Sequence, residues 1–284
     1  MLERLLVTNV KGLDLTNLTE AAATRARTAK LYPKTALVFV HGFGTTFEFA
    51  LARAAQISRD IGYDGPAFSF TWPSLGRTDP LAYSPDEQAA KASVDSFVTL
   101  LATIAGISGV EKIHIVAHSM GNQILLKALR KIQSELPASG SGLSRKIGEI
   151  VFAAPDVAQS EFQSQTASLT GHKMTLYASA YDKALWVSFL RNDSVRAGTV
   201  RFGLLSSGRP AITPGVDSID ISDAGRDYFN ANHDVYASNP YVANDLRHLL
   251  QSGKRPPHRC SQGVLHEQGQ QPEQYWVFSL SGAR

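Results

Sequence analysis

Ser119 stands in the pentad Ala117-His118-Ser119-Met120-Gly121, an A-x-S-x-G pattern. A serine hydroxyl is a weak nucleophile. It attacks an acyl carbon only when a base takes its proton and N–H donors hold the oxyanion that forms. A sharp strand-to-helix turn pushes such a hydroxyl outward and leaves little room two residues to either side. Ala117 and Gly121 are small enough. The pentad alone also fits a surface serine capping a helix, so the partners decide. Acid and base are expected in the order Ser, Asp/Glu, His. Asp182 follows the strand-like "KMTLYAS" and is the preferred acid. Asp156, in "FAAPDV" after the preceding strand, is the alternative, and a helix cap is the ordinary role of an aspartate at either place. His233 lies in the loop "FNANHDVYASNP" and is the preferred base. His248 falls inside a helical stretch, and His258 and His266 fall in a polar tail. Ser119, Asp182 and His233 together would perform acyl transfer.

The segment "VFVHGFGTTFE" supplies a His-Gly pair directly after a buried strand. Such a turn brings the backbone beside the serine, so the N–H groups of Phe43 and Met120 are expected to form an oxyanion hole. His41 is assigned to bracing this loop and His118 to packing. His114 and His118 have the spacing of a metal pair, but that spacing needs a helix and here falls on a strand. No metal site and no cofactor are expected. Trp72, Tyr83 and Trp186, with Phe43, are candidates to line an apolar acyl site, although each also fits ordinary core packing.

These residues need a scaffold of alternating strands and helices. "TALVFV" is a continuous apolar run, as in strands buried on both faces of a parallel sheet. Thr45 and Glu48 read as a capping box, followed by Phe47, Leu51, Ala54, Ile57 and Ile61 at helical spacing and a stop at Gly62. "PAFSFTW" reads as a strand, and "SPDE" as the start of a helix capped by Ser84 whose buried face is Val94, Phe97, Leu101 and Ile104. Strand Ile113–Ala117 precedes a helix marked by Leu125, Leu129, Ile132 and Leu136. Strands "EIVFAA", "KMTLYAS" and "DSIDIS" and a helix from Pro240 to Leu250 complete the pattern. It predicts an α/β fold with a mostly parallel sheet flanked by helices on both faces, whose ligands bind at the carboxyl ends of the strands. Residues 1–34 read as an N-terminal extension with an edge strand as one option. Residues 35–253 form the main domain. The tail 254–284 is expected partly disordered or packed as an arm, its early part disordered and its "YWVFSL" end a strand.

A chain of 284 residues with 43% hydrophobic content fits one large domain. The net charge of +3 is small and the basic residues are scattered, which argues against nucleic-acid binding. No apolar run spans a membrane, the start does not read as a secretion signal, and the lone Cys260 excludes an internal disulfide. A cytoplasmic protein is expected, acting on a small-molecule acyl ester.

With these motifs the chain resembles the α/β-hydrolases, and more narrowly a bacterial esterase/lipase-like branch catalogued as a domain of unknown function. "VFVHGFGTTFEFALARAAQ", "GYDGPAFSFTWPSLG", "IHIVAHSMGN", "VFAAPDV", "YASAYDKAL" and "NHDVY" carry the resemblance across roughly residues 35–250. It implies an α/β-hydrolase fold and the triad Ser119, Asp182 and His233. Gly44 departs from the asparagine that such relatives often have. The expected activity is cleavage of short to medium acyl esters; a thioesterase or lipase with the same triad, or a non-catalytic binding module, are the alternatives. Between Asp156 and Lys173 the chain is too short for a cap domain, so cover for the site must come from "WPSLGRTDPLAY" and the segment Trp186 to Pro214.

Overall fold

The computed structural model describes residues 7–135, 142–181, 185, 188, 194–200, 208–225, 239–259, 263–269 and 274–280. Eight strands form one sheet: β1 Thr35–Val40, β2 Ala67–Phe70, β3 Lys112–His118, β4 Ile147–Ala153, β5 Lys173–Ala178, β6 Val216–Asp220, β7 Gly263–Gln268 and β8 Tyr275–Leu280. Their order is β2-β1-β3-β4-β5-β6-β8-β7. Neighbours are parallel except for β7 and β8, which are antiparallel. The helices are α1 Leu15–Thr28, α2 Phe47–Asp60, α3 Tyr83–Ala92, α4 Val94–Gly106, α5 Gly121–Glu135, α6 Leu143–Lys146, α7 Gln159–Ser168 and α8 Pro240–Ser252. This is the mostly parallel, helix-flanked sheet that the alternating pattern predicts.

Alternation along the strands divides the core in two. Ala36, Val38 and Val40 of β1, with Ile113, Ile115 and Ala117 of β3, face a cluster that includes Phe97, Leu101 and Ile104 of α4 and Leu125, Leu129 and Ile132 of α5. Leu37, Phe39 and Val116 face the other way, against Ile57 of α2 and Val242, Leu246 and Leu249 of α8. A strand covered on both faces is apolar along most of its length, as β1 is from Ala36 to Val40 and β3 is at Ile113 and from Ile115 to Ala117, with the buried His114 between them.

Several local expectations are corrected. The cap of α2 is Thr46, whose hydroxyl accepts the Phe49 N–H, and Thr45 instead donates its N–H to Ser74. Phe47 is exposed rather than part of the buried face. Ser84 lies inside α3, which starts from a short turn at Pro80–Ala82 and has no side-chain cap. The single helix expected to run from "SPDE" past Ile104 is broken at Ser93, whose hydroxyl donates to the Ala89 carbonyl. Residues 15–28 of the N-terminal extension are helical, with Ala22, Ala23 and Ala26 buried. Alanine gives such a face little contrast in hydropathy. Leu136 lies outside the described residues.

The described residues that follow α8 pack against the sheet through two arginines. Arg259 is fully buried and grips both carboxylate oxygens of Asp245 at 3.0 and 2.9 Å. It also donates to Thr175 Oγ1 at 3.2 Å, while the Tyr177 hydroxyl donates to Asp245. Arg255 pairs with Glu149 and with Asp217, both at 2.8 Å. These pairs tie the chain after α8 to β4, β5 and β6. The antiparallel pair β7–β8 then forms the sheet's edge, so Gly263–Gln268 and Tyr275–Leu280 of the tail belong to the sheet.

His114 on β3 is buried in the same region, and its Nδ1 accepts the Glu149 N–H at 3.0 Å. Burial, with Lys173 and Lys112 adding to it, lowers its pKa to about 4. Between that value and the unfolded one the unfolded chain binds the proton and the fold does not. Stability is therefore lost as pH falls from about 7 toward about 4, by an amount on the order of 3 kcal/mol. Glu149 and Asp217 have raised pKa values from burial, so their titration acts in the opposite sense. Comparison with His114→Asn, which keeps an acceptor but does not titrate, isolates the histidine. Urea unfolding from pH 7 to pH 4 should show a shallower loss in the variant; parallel curves would place the acid sensitivity elsewhere.

Candidate active site

The chain runs from β1 outward to β2, then returns to lay β3 on the opposite side of β1. The carboxyl ends of β1 and β3 therefore flank a topological switch point, where open α/β sheets place their ligands. Val40 is paired with Ala117, so the residues that follow this pair, His41 and Gly42 on one chain segment and His118 and Ser119 on the other, lie side by side.

Ser119 sits on the turn between β3 and α5 with φ of 52°. A non-glycine residue in the left-handed region costs of order 1–3 kcal/mol and persists only where its surroundings impose it. Here they do. The Ser119 N–H donates to the Ala153 carbonyl at 3.0 Å, and the Ser119 carbonyl accepts from the N–H groups of Asn122 and Asp156 at 3.1 and 3.2 Å. The Asn122 side chain, fully buried, donates to the Ser119 and Ala153 carbonyls. A Cβ on Gly121 would lie 2.5 Å from the His41 carbonyl oxygen, and one on Gly42 would lie 2.8 Å from Ser119 Cβ. Glycine is demanded at both places because two backbones meet there.

His41 braces this meeting, as expected for it. Its Nε2 accepts the Trp72 N–H at 3.1 Å, its Nδ1 bonds the Gly42 carbonyl at 2.9 Å, and the Trp72 indole N–H donates to the His41 carbonyl at 2.9 Å. The two rings stack at 4.8 Å. An Nε2 that accepts leaves the proton on Nδ1, so the ring is neutral, and burial lowers its pKa. The Trp72 ring, a candidate for an acyl site, is thus packed behind the loop. The N–H groups of Phe43 and Met120 donate no hydrogen bond among the described residues. Met120 is buried beneath the turn and Phe43 half-buried.

Asp156 lies just past β4, beside the elbow, and both of its carboxylate oxygens are taken. Arg196 Nε donates to Oδ1 at 2.6 Å, Ser188 Oγ donates to Oδ1 at 2.5 Å, and the Tyr83 hydroxyl donates to Oδ2 at 2.8 Å. Burial, then the Asp156 charge, push the Tyr83 phenol up to about 12. Tyr83, the second acyl-site candidate, therefore spends its hydroxyl on this network and lays its ring 5.4 Å from that of Phe43. The segment that carries Arg196 is fastened along its length. Ala197 and Gly198 donate to the Val157 and Pro155 carbonyls, Ser179 donates to Gly198, and Val200 donates to Ser179. Asp182, His233 and Trp186 lie outside the described residues. In the chain, Asp182 comes four positions after the end of β5 and His233 between β6 and α8.

Two buried polar residues go unassigned in the motif reading. Asn122 locks the elbow, and Asp86 of α3 ties the loops after β1 and β2 together. Each leaves a trace in the sequence. Asp86 falls on the apolar stripe that continues through Ala90, Phe97 and Leu101, and Asn122 falls one turn before Leu125 and Leu126. A polar residue on a buried stripe signals a specific partner.

Among solved structures, the chain is similar to the catalytic core domain of an acetyl xylan esterase from Trichoderma reesei, at 9% identity over 75% of this chain and 98% of that one, with a TM-score of 0.41. It is also similar to a hyperthermophilic esterase from the archaeon Pyrobaculum calidifontis, at 12% identity over 85% and 94%, with a TM-score of 0.41. A carboxylesterase from Bacillus subtilis matches at 11% identity over 85% and 98%, with a TM-score of 0.37. No curated protein matches the chain. A family model described as "Alpha/beta hydrolase of unknown function (DUF900)" matches residues 19–252, most of the chain. The chain belongs to this family of α/β-hydrolases.

Proposed function

We propose that the protein is a serine carboxylesterase that uses Ser119, His233 and Asp182. The observation that carries the proposal is the turn at Ser119: a serine at positive φ between a buried strand and a helix, beside two N–H groups with no partner among the described residues. A hydroxyl so placed serves nucleophilic catalysis better than it serves a helix cap. In this mechanism His233 takes the Ser119 proton as the oxygen attacks the ester carbonyl. Asp182 orients the imidazole and stabilises its charge. The Phe43 and Met120 N–H groups receive the oxyanion. The alcohol leaves, and His233 then activates water against the acyl-enzyme. The engagement of both Asp156 oxygens with Arg196, Ser188 and Tyr83 supports Asp182 as the acid.

For the substrate we propose short to medium acyl esters, the acyl chain lying beside Phe43 with Tyr83 and Trp186 bounding its site and Trp72, stacked on His41, backing the loop that carries Phe43. The fastening of residues 195–200 to the ends of β4 and β5 supports a site without a lid that waits for an interface. No described helix is long and apolar enough to cross a membrane.

Turnover of p-nitrophenyl esters tests the nucleophile and the acid together. Ser119→Ala should reduce it by roughly a million-fold with the fold intact, and Asp182→Asn by on the order of 10⁴. Asp156→Asn should cost far less per folded molecule but lower stability by roughly 3–5 kcal/mol, since Arg196 keeps its charge in a buried site. Near-normal turnover in folded Ser119→Ala would remove the proposal, and reversed effects of the two aspartates would make Asp156 the acid. A series of acyl lengths, assayed across the critical micelle concentration, tests the substrate class. Rates should favour short or medium chains and pass smoothly through that concentration; a sharp rise with long chains would mark a true lipase.

A further inference from the structure

The chain between Gly42 and Gly44 is one residue long, and that residue is Phe43. Gly42 is pinned from one side, packed against Ser119 and His118 with no room for a Cβ. Gly44 is pinned from the other. Its N–H donates to Asp86 Oδ2 at 3.0 Å, and it holds φ of 63° with Arg77 and Thr78 too close to admit a side chain. The direction of the Phe43 N–H is set between these two pins.

Asp86 is fully buried on α3 and collects more than this one bond. Ser74 Oγ donates to Oδ2 at 2.6 Å and the Leu75 N–H donates to Oδ1 at 2.8 Å. Ser74 in turn accepts the Thr45 N–H at 3.1 Å. One carboxylate thus joins the loop that follows β1 to the loop that follows β2, through neutral donors. Burying a carboxylate is costly, and a helix exposed along one side has cheaper residues for that position. What the carboxylate provides is acceptors on two oxygens at once. Asparagine would turn an NH₂ toward at least one of the donors.

Building on the serine-esterase function proposed above, we propose that Asp86 is the positioning residue of the oxyanion hole, holding the Phe43 N–H on the developing oxyanion through Gly44 and Ser74. It acts through the loop and touches no reacting atom. An oxyanion donor that is lost or misdirected costs about 10²–10³ in kcat. That cost appears in the transition state and leaves ground-state binding largely unchanged.

The test measures kcat and KM on a p-nitrophenyl ester per molecule labelled by a fluorophosphonate, for Asp86→Asn, Ser74→Ala and the control Asp245→Asn. Asp245 is equally buried but lies in the Arg259 cluster, away from this loop. The expected result is a kcat loss of about 10²-fold for Asp86→Asn and about 10-fold for Ser74→Ala, with KM changed little. A trifluoromethyl ketone, which forms a tetrahedral adduct, should lose affinity by the same factors. Asp245→Asn should lower the unfolding midpoint and keep kcat per labelled molecule. If Asp86→Asn does not fold, Ser74→Ala decides alone. The proposal is overturned if kcat per labelled molecule stays within about twofold of wild type in the folded variants of this pair, or if Asp245→Asn reduces kcat as much as they do. Turnover that survives Ser119→Ala would instead remove the esterase function itself, whatever Asp86 does.

Discussion

The structure turns on the close approach of two chain segments beyond the paired ends of β1 and β3. There the backbone at His41 and Gly42 meets the turn at Ser119 to Gly121 with no space for another carbon. Parallel neighbours some 5 Å apart leave this gap, and glycine on each side is what lets the chain use it. The left-handed conformation of Ser119 is the conformational cost of the meeting. It is sustained by bonds from Ala153, Asn122 and Asp156, so β4 as well as β1 has to be in place before the serine can be.

Around that point the carboxyl end of the sheet is held by buried polar groups that bond one another. Trp72 holds His41, Asp86 holds Gly44, and Asp156 holds Tyr83 and Arg196. Helix α3 presents Tyr83 and Asp86 one turn apart and so contributes to both carboxylate networks. The region near the amino ends of β4 to β6 uses charge differently. Arg255 and Arg259 neutralise Glu149, Asp217 and Asp245 and carry the tail back onto the sheet. Hydrogen-bonded networks of this kind fix one arrangement because each partner left alone would be expensive.

Legibility in the sequence follows the range of the interaction that decides each feature. The apolar run of β1, and that of β3 on either side of His114, are legible because burial on both faces acts on most residues of these strands. The elbow is legible because Ala117 and Gly121 answer a local steric demand. Caps are legible only to within a residue: Thr45 and Thr46 carry the same side chain, and the pull of Ser74, far along the chain, decides which one faces the helix. Asp86 reads locally as part of a cap, while its partners are 11, 12 and 42 positions away. The tail reads as polar because its packing comes from single arginines and from an antiparallel strand pair at the sheet's edge, neither of which needs an apolar run.

The central claim is that Ser119 is a nucleophile made reactive by the turn that holds it. Treatment with a fluorophosphonate followed by peptide mapping measures this directly. The account predicts one adduct per chain, on Ser119, forming at least about a thousand-fold more slowly when His233 is replaced by alanine. No adduct on the folded protein, or an adduct on another residue with Ser119 untouched, would contradict it.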